Sequence, residues 1–187
     1  MKVVVITSPR TASTFYCEQL SRQFDVPNYN EEFTQNSHHS KFLSESQVKT
    51  LNDEVVSRTT GIFKVHLHQV LHNDNFLNYP GRIKHVEFLC SDADEVHYLW
   101  RRDKIAQLKS GLIANFTNIF NDENYTNDII DIKISKQTYD EGIKRIWEHL
   151  KCVKHWSERY PGTHVYTEDI IKENYKPYRQ QYNFNVV

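Results

Sequence analysis

The sequence predicts an α/β domain: a central parallel sheet of about four to five strands, covered by helices into a three-layer sandwich. Short apolar runs rich in β-branched and aromatic residues recur at 3–6, 61–67, 96–100 and 163–166, and such runs fit strands buried on both faces. Longer segments with apolar residues at helical spacing separate them, and parallel strands need crossovers of that kind. At 187 residues the chain suits one well-buried core, so residues 1–187 are read as a single domain.

The first strand, Val3-Val4-Val5-Ile6, leads into a hydroxyl-rich turn, Thr7 to Thr14. A helix follows, with Cys17, Leu20 and Phe24 at helical spacing. Asp25-Val26-Pro27 marks a turn, and 28–40, with Glu31-Glu32-Phe33 and His38-His39, reads as a polar loop. Ser44 to Gln47 has capping-box spacing, and Val48, Leu51 and Val55 mark a helix ending near Arg58. After the strand at 61–67, residues 69–77 are a short helix or a loop, and Tyr79-Pro80-Gly81 is a turn. Residues 82–90 fit a strand or a helix equally. The strand at 96–100 runs into Arg101-Arg102-Asp103, then a helix with Ile105, Leu108, Leu112 and Ile113 on one side. Residues 116–133 are rich in Asn and Asp and read as a mobile excursion. The longest helix spans about 136–159, with Tyr139, Ile143, Ile146, Trp147, Leu150 and Val153 along one stripe, and Pro161-Gly162 stops it. The strand at 163–166 precedes Glu168-Asp169-Ile170, and the tail from Asn174 has no clear period.

Formal charge is −1, which gives no basis for nonspecific nucleic-acid binding. Cys17, Cys90 and Cys152 are widely spaced and suit neither a disulfide framework nor a zinc site. His38-His39 has no third ligand at usable spacing, so no metal is expected. No apolar run approaches the roughly 20 residues of a membrane span. With Met1-Lys2-Val3 leading straight into a strand, a signal peptide is not expected and a cytoplasmic location is.

Chemistry concentrates after the strands, where open parallel sheets bind ligands. Strand, hydroxyl-rich turn and helix aim backbone N–H groups and a helix dipole at one point, a place for a phosphate. Arg10 can fork onto two phosphate oxygens. The turn has no G-x-x-x-x-G-K-[ST], so it is not a Walker A loop.

Pro9-Arg10-Thr11-Ala12-Ser13-Thr14-Phe15 resembles the 5′-phosphosulfate loop of the sulfotransferases that use 3′-phosphoadenosine 5′-phosphosulfate (PAPS). Their loop reads roughly Pro-[Lys/Arg]-Ser-Gly-[Thr/Ser]-[Thr/Ser]-aromatic or aliphatic. Ala12 departs from it, standing where the family usually has glycine; a positive φ there would strain an alanine. Arg102 and Ser110 match the family's second signature, an arginine at a strand end and a serine eight positions on, which together hold the 3′-phosphate. The form Arg-Arg-Asp-Lys-x-x-Gln is similar to bacterial sulfotransferases of the trehalose-modifying kind. Phe63-Lys64-Val65-His66-Leu67 resembles the Lys-Thr-His segment of animal cytosolic sulfotransferases, whose histidine is the general base. Strand alternation puts Lys64 and His66 on one side. A second candidate base is Glu32, with Glu31 behind it, because 27–33 resembles the glutamate-bearing region of the bacterial and heparan-modifying branches. Residues 164–170 resemble a strand followed by Glu-Asp-Leu and are read as support for the fold. The family's late Arg-Lys-Gly loop has no match; Lys176 or Arg179 would have to replace it.

The resemblance implies a P-loop NTPase-like sulfotransferase fold and transfer of a sulfuryl group from PAPS, without a metal, to a hydroxyl or amine of a small-molecule or carbohydrate acceptor. Arg10, Lys64 and His66 or Glu32 would be catalytic. Arg10, Thr11, Ala12, Ser13, Thr14, Phe15, Arg102 and Ser110 would hold the nucleotide, with Phe15 stacked on adenine. Two other readings stay open: a P-loop-type small-molecule or nucleotide kinase, and a non-catalytic nucleotide-binding module.

Overall fold

Six successive residues, Lys2 to Thr7, are almost wholly buried, and such a strand needs cover on both faces. In the computed structural model, which describes residues 1–30, 45–67, 82–117, 130–174 and 182–187, it has that cover. The elements in chain order are β1 (Lys2–Thr7), α1 (Ser13–Phe24), β2 (Asn28–Asn30), α2 (Glu45–Ser57), β3 (Gly61–His66), α3 (Arg82–Ser91), β4 (Glu95–Trp100), α4 (Lys104–Thr117), β5 (Ile130–Ile134), α5 (Lys136–Arg159), β6 (Thr163–Tyr166), α6 (Thr167–Asn174) and β7 (Tyr182–Val186). Five strands form one parallel sheet in the order β2-β3-β1-β4-β6; β5 and β7 pair in parallel separately.

Alternation along the strands sorts side chains into two layers. Val3, Val5, Ile62 and Leu99 pack with Cys17 and Leu20 of α1, and Ile170 of α6 joins them. Val4, Ile6, Phe63, Val65 and Tyr98 pack on the other face, against α2, α3 and α5. The helix α4 leans on α5 around Leu108, Ile146 and Leu150, with Trp100 at the junction. The three cysteines are free thiols.

The expected α/β class and parallel sheet are present; the structure decides one reading left open, at 82–91, and differs from expectation in several details. Residues 82–91 are a helix, and Val86, Leu89 and Cys90 are its buried stripe. Asn28–Asn30, expected in a polar loop, is an edge strand on β3. Tyr29 packs on Phe63 with ring centroids 5.1 Å apart. It can do so because Gly61, at φ 132°, has no side chain in the way of the Tyr29 ring. Residues 130–134 form β5 rather than the end of an excursion: Ile130, Ile132 and Ile134 alternate with Asp131 and Lys133, a strand period that the Asn- and Asp-rich stretch ahead of it obscured. The tail supplies β7, and Ile132 is fully buried. Trp147 is 53% exposed and does not belong to the buried stripe of α5, because one residue beyond Ile146 turns it about 100° away. Ile105 is likewise half exposed. The expectations at Glu31, Glu32, Phe33, His38, His39, Lys176 and Arg179 lie outside the described residues.

Candidate anion-binding site

β1 feeds α1 on one face of the sheet, and β4 feeds α4, which packs with α5 on the opposite face. The carboxyl ends of β1 and β4, adjacent in the sheet, therefore bound the crevice where open α/β folds bind ligands. Both sequence signatures converge there.

The turn from β1 to α1 has two residues in the left-handed region, Arg10 at φ 64° and Ala12 at φ 56°. Ala12 is the N-cap of α1, and its methyl group cannot cap the helix. Ala12 thus occupies a backbone conformation that favours glycine, the residue found at this place in the loop it resembles.

Five consecutive carbonyls of the turn are held. The hydroxyls of Thr7 and Thr11 lie 2.5 Å apart, and each is 3.0 Å from the Ser8 carbonyl. Two protons serve these three contacts, so only two of them are hydrogen bonds at any one time. Gln107 Nε2 donates to the Pro9 carbonyl at 2.7 Å and to Ser8 Oγ at 2.9 Å. Arg101 Nη1 donates to the Arg10 carbonyl at 3.2 Å, and Thr167 Oγ1 to the Thr11 carbonyl at 2.8 Å. The Ala12 carbonyl accepts from Tyr16 N at 3.1 Å, the first bond of the helix. In a trans peptide the N–H points opposite its carbonyl. The N–H groups of Arg10 to Ser13 consequently face away from these clamps, beside the positive end of the α1 dipole. Successive N–H groups in this conformation form an anion-binding concavity.

Cationic side chains surround the turn. Lys64 is 1% exposed, and its ammonium donates to Thr14 Oγ1 at 2.8 Å. Lys64 and His66 lie on the same face of β3 as Ile62, the face that α1 covers, and His66 stands opposite Thr7 at the carboxyl edge. Arg10 Nε donates to Ser110 Oγ at 2.9 Å. Lys104 donates to the Arg101 carbonyl, and burial holds its amine below the ordinary lysine value. Glu168 opposes that drop and Arg101 adds to it.

Ser110 contacts Arg10, whereas Arg102 forms a two-pronged ion pair with Asp169 at 2.8 and 2.7 Å. The Arg102 guanidinium also stacks 4.0 Å from the Tyr166 ring centre. The Thr11 hydroxyl belongs to the inner scaffold of the turn, and Thr11 is fully buried. Ser13 is buried at the start of α1, and Phe15 is partly exposed one turn in. Among the described residues no cluster of His, Cys, Asp or Glu could hold a metal. No described helix is long and apolar enough to cross a membrane.

The residues that hold the turn were mostly given no role in the sequence reading. Gln107, Arg101 and Thr167 act across the fold; Arg101 and Gln107 bound the Arg-Arg-Asp-Lys-x-x-Gln form, but that form gave no role to either, and for Thr167 only its position just after β6 at the carboxyl edge hints at one. Glu168 acts in the same way on the neighbouring turn, where its carboxylate accepts from the backbone N–H groups of Arg102 and Asp103 at 2.9 to 3.0 Å. Burial would raise that carboxyl, but these bonds prevail and hold it below the ordinary glutamate value. On the α1 face, the Tyr16 hydroxyl and His97 Nδ1 are hydrogen-bonded at 2.8 Å, and His97 Nε2 lies 2.7 Å from Glu95. Burial pushes the Tyr16 phenol up to about 12.

Searched against models of known protein families and against curated protein sequences, the chain matches none.

Proposed function

We propose that the protein is a sulfotransferase that moves a sulfuryl group from PAPS to a hydroxyl or amine of a small-molecule or carbohydrate acceptor. The supporting observation is the β1–α1 turn: its carbonyls from Ser8 to Ala12 are all held, its N–H groups face the other way, and Arg10 and Lys64 flank it. The resemblance of this turn to the 5′-phosphosulfate loop supplies the chemical identity of the anion.

In this reading the 5′-phosphosulfate lies against the N–H groups of Arg10 to Ser13. The acceptor oxygen or nitrogen attacks sulfur, the bond from sulfur to the bridging oxygen breaks, and 3′-phosphoadenosine 5′-phosphate leaves. Negative charge develops on the departing phosphate. Arg10 and Lys64 neutralise it, and fixed donors of this kind contribute several kcal/mol to a transition state. The base takes the acceptor's proton; His66 and Glu32 are the two candidates. Phe15 stacks on adenine, and the Arg102 and Ser110 region receives the 3′-phosphate.

Calorimetric titration with 3′-phosphoadenosine 5′-phosphate, run beside ATP with magnesium, tests the reading. The expected result is metal-independent binding of the former, at least about tenfold weaker in Arg10→Ala and in Lys64→Met. Lys64→Met keeps the buried stem and removes the charge, so its circular dichroism should match the unaltered protein. Binding of magnesium-ATP alone would replace this reading with a kinase.

A further inference from the structure

We infer that Gln107 is a positioning residue for the anion turn, fixing the Ser8–Arg10 backbone so that the Arg10 N–H faces the ligand. The inference rests on the anion-binding reading of that turn and extends it to how the turn is set. Gln107 is 3% exposed and sits in the first turn of α4, seated by Asp103, whose carbonyl accepts from Gln107 N at 3.0 Å. The Pro9 carbonyl can only accept, so the amide nitrogen, not the oxygen, must face it. The same nitrogen reaches Ser8 Oγ, so both amide protons go to the turn. The amide oxygen, in contrast, is buried with no hydrogen-bond partner. A glutamine kept purely for packing would be better replaced by methionine, which fills similar volume with no unsatisfied acceptor. The arrangement makes sense if Gln107 is there to donate to Pro9 and Ser8. Ser110, one turn further along α4, holds Arg10 Nε, so one rigid helix sets both the backbone and the arginine of the turn.

Gln107→Glu is the sharp test, because it keeps the shape and turns a donor into an acceptor aimed at the Pro9 carbonyl. Calorimetry with inorganic pyrophosphate and with 3′-phosphoadenosine 5′-phosphate, below the melting temperature of each variant, gives the readout. The expected loss in affinity is about tenfold or more for Gln107→Glu and smaller for Gln107→Met. Lowering the pH protonates the new carboxyl and restores one donor. Relative to the unaltered protein at the same pH, Gln107→Glu should therefore regain part of its affinity and Gln107→Met none. A role in packing alone would not give that recovery. Affinity equal to the unaltered protein in both variants, or equal recovery in both, overturns the inference. If Gln107→Glu does not fold, Ser8→Ala removes one acceptor of the same amide; about a threefold loss is expected, and no change overturns the inference. Should the unaltered protein bind pyrophosphate but not the nucleotide, the sulfotransferase reading fails and Gln107 is judged on pyrophosphate alone. Binding of neither overturns both.

Discussion

Ala12 is the residue where local conformation and proposed chemistry conflict most openly. Its φ of 56° brings Cβ close to the following carbonyl, which costs an L-residue about 1–2 kcal/mol and glycine nothing. The conformation persists because Thr167, Tyr16 and Arg101 hold the carbonyls on both sides of it. Strain held in this way by its surroundings is typical of ligand-binding turns. Ala12→Gly should therefore stabilise the domain by about 0.5–1 kcal/mol, since relief of the strain outweighs the extra freedom glycine gives the unfolded chain. Urea denaturation measures it, as a higher midpoint with an unchanged slope. A lower midpoint would mean that the turn does not require the left-handed conformation. The need for glycine at this position was readable from the sequence through the resemblance; that alanine adopts the same conformation was not, because the groups that hold it come from α1, α4's approach and α6.

At the scale of elements, the first turn of α6 ties the β1–α1 and β4–α4 turns together. Thr167 donates to the Thr11 and Trp100 carbonyls, Glu168 takes the N–H groups that open the β4–α4 turn, and Asp169 holds Arg102. The Glu168 carboxyl lies below its ordinary value of 4.5 in the folded protein, chiefly because the Arg102 and Asp103 N–H groups outweigh its burial. A depressed folded value gives stability that is present above the unfolded value and lost as pH falls through the folded one. Comparison with Glu168→Gln isolates this from the other carboxylates. The stability difference between the two proteins should be constant above about pH 5 and shrink progressively below it. A difference that stays constant down to about pH 3 would mean that the charge of Glu168 does not anchor the turn. Local signals exposed the parts of this site but not its assembly. The strand, turn and helix at 3–24 are adjacent in sequence, so periodicity and composition reveal them. The partners that orient the turn lie 98 residues away in Gln107 and Pro9, 91 in Arg101 and Arg10, and 156 in Thr167 and Thr11. No spacing rule reaches that far. β2 and β7 were missed for a related reason: a three-residue edge strand and a short terminal strand acquire their structure from the partners they pair with.

Across the whole molecule, the candidate site stands on the part of the fold that should open last. β1 is hydrogen-bonded to β3 on one side and β4 on the other, and helices cover both its faces. Val3, Val4, Val5, Ile6, Ile62 and Leu99 have no exposed surface. Exposing their amides requires breaking two ladders and separating two helix layers, which approaches global unfolding. The β5–β7 pair differs: among the described residues two short strands make a ladder with no third strand, Val186 is 45% exposed, and a two-stranded ribbon is marginal in water. Hydrogen exchange followed by mass spectrometry should thus give the slowest rates in peptides covering β1, β3 and β4. Peptides covering β5 and β7 should exchange through local opening, well before the central strands. Equal protection of β7 and β1 would mean that the small sheet is part of the same cooperative unit. The order matters for the chemistry proposed. A turn that must hold its N–H groups fixed while charge develops on a phosphate needs a rigid base, and β1, with both neighbours and both helix layers, is the stiffest one this topology offers.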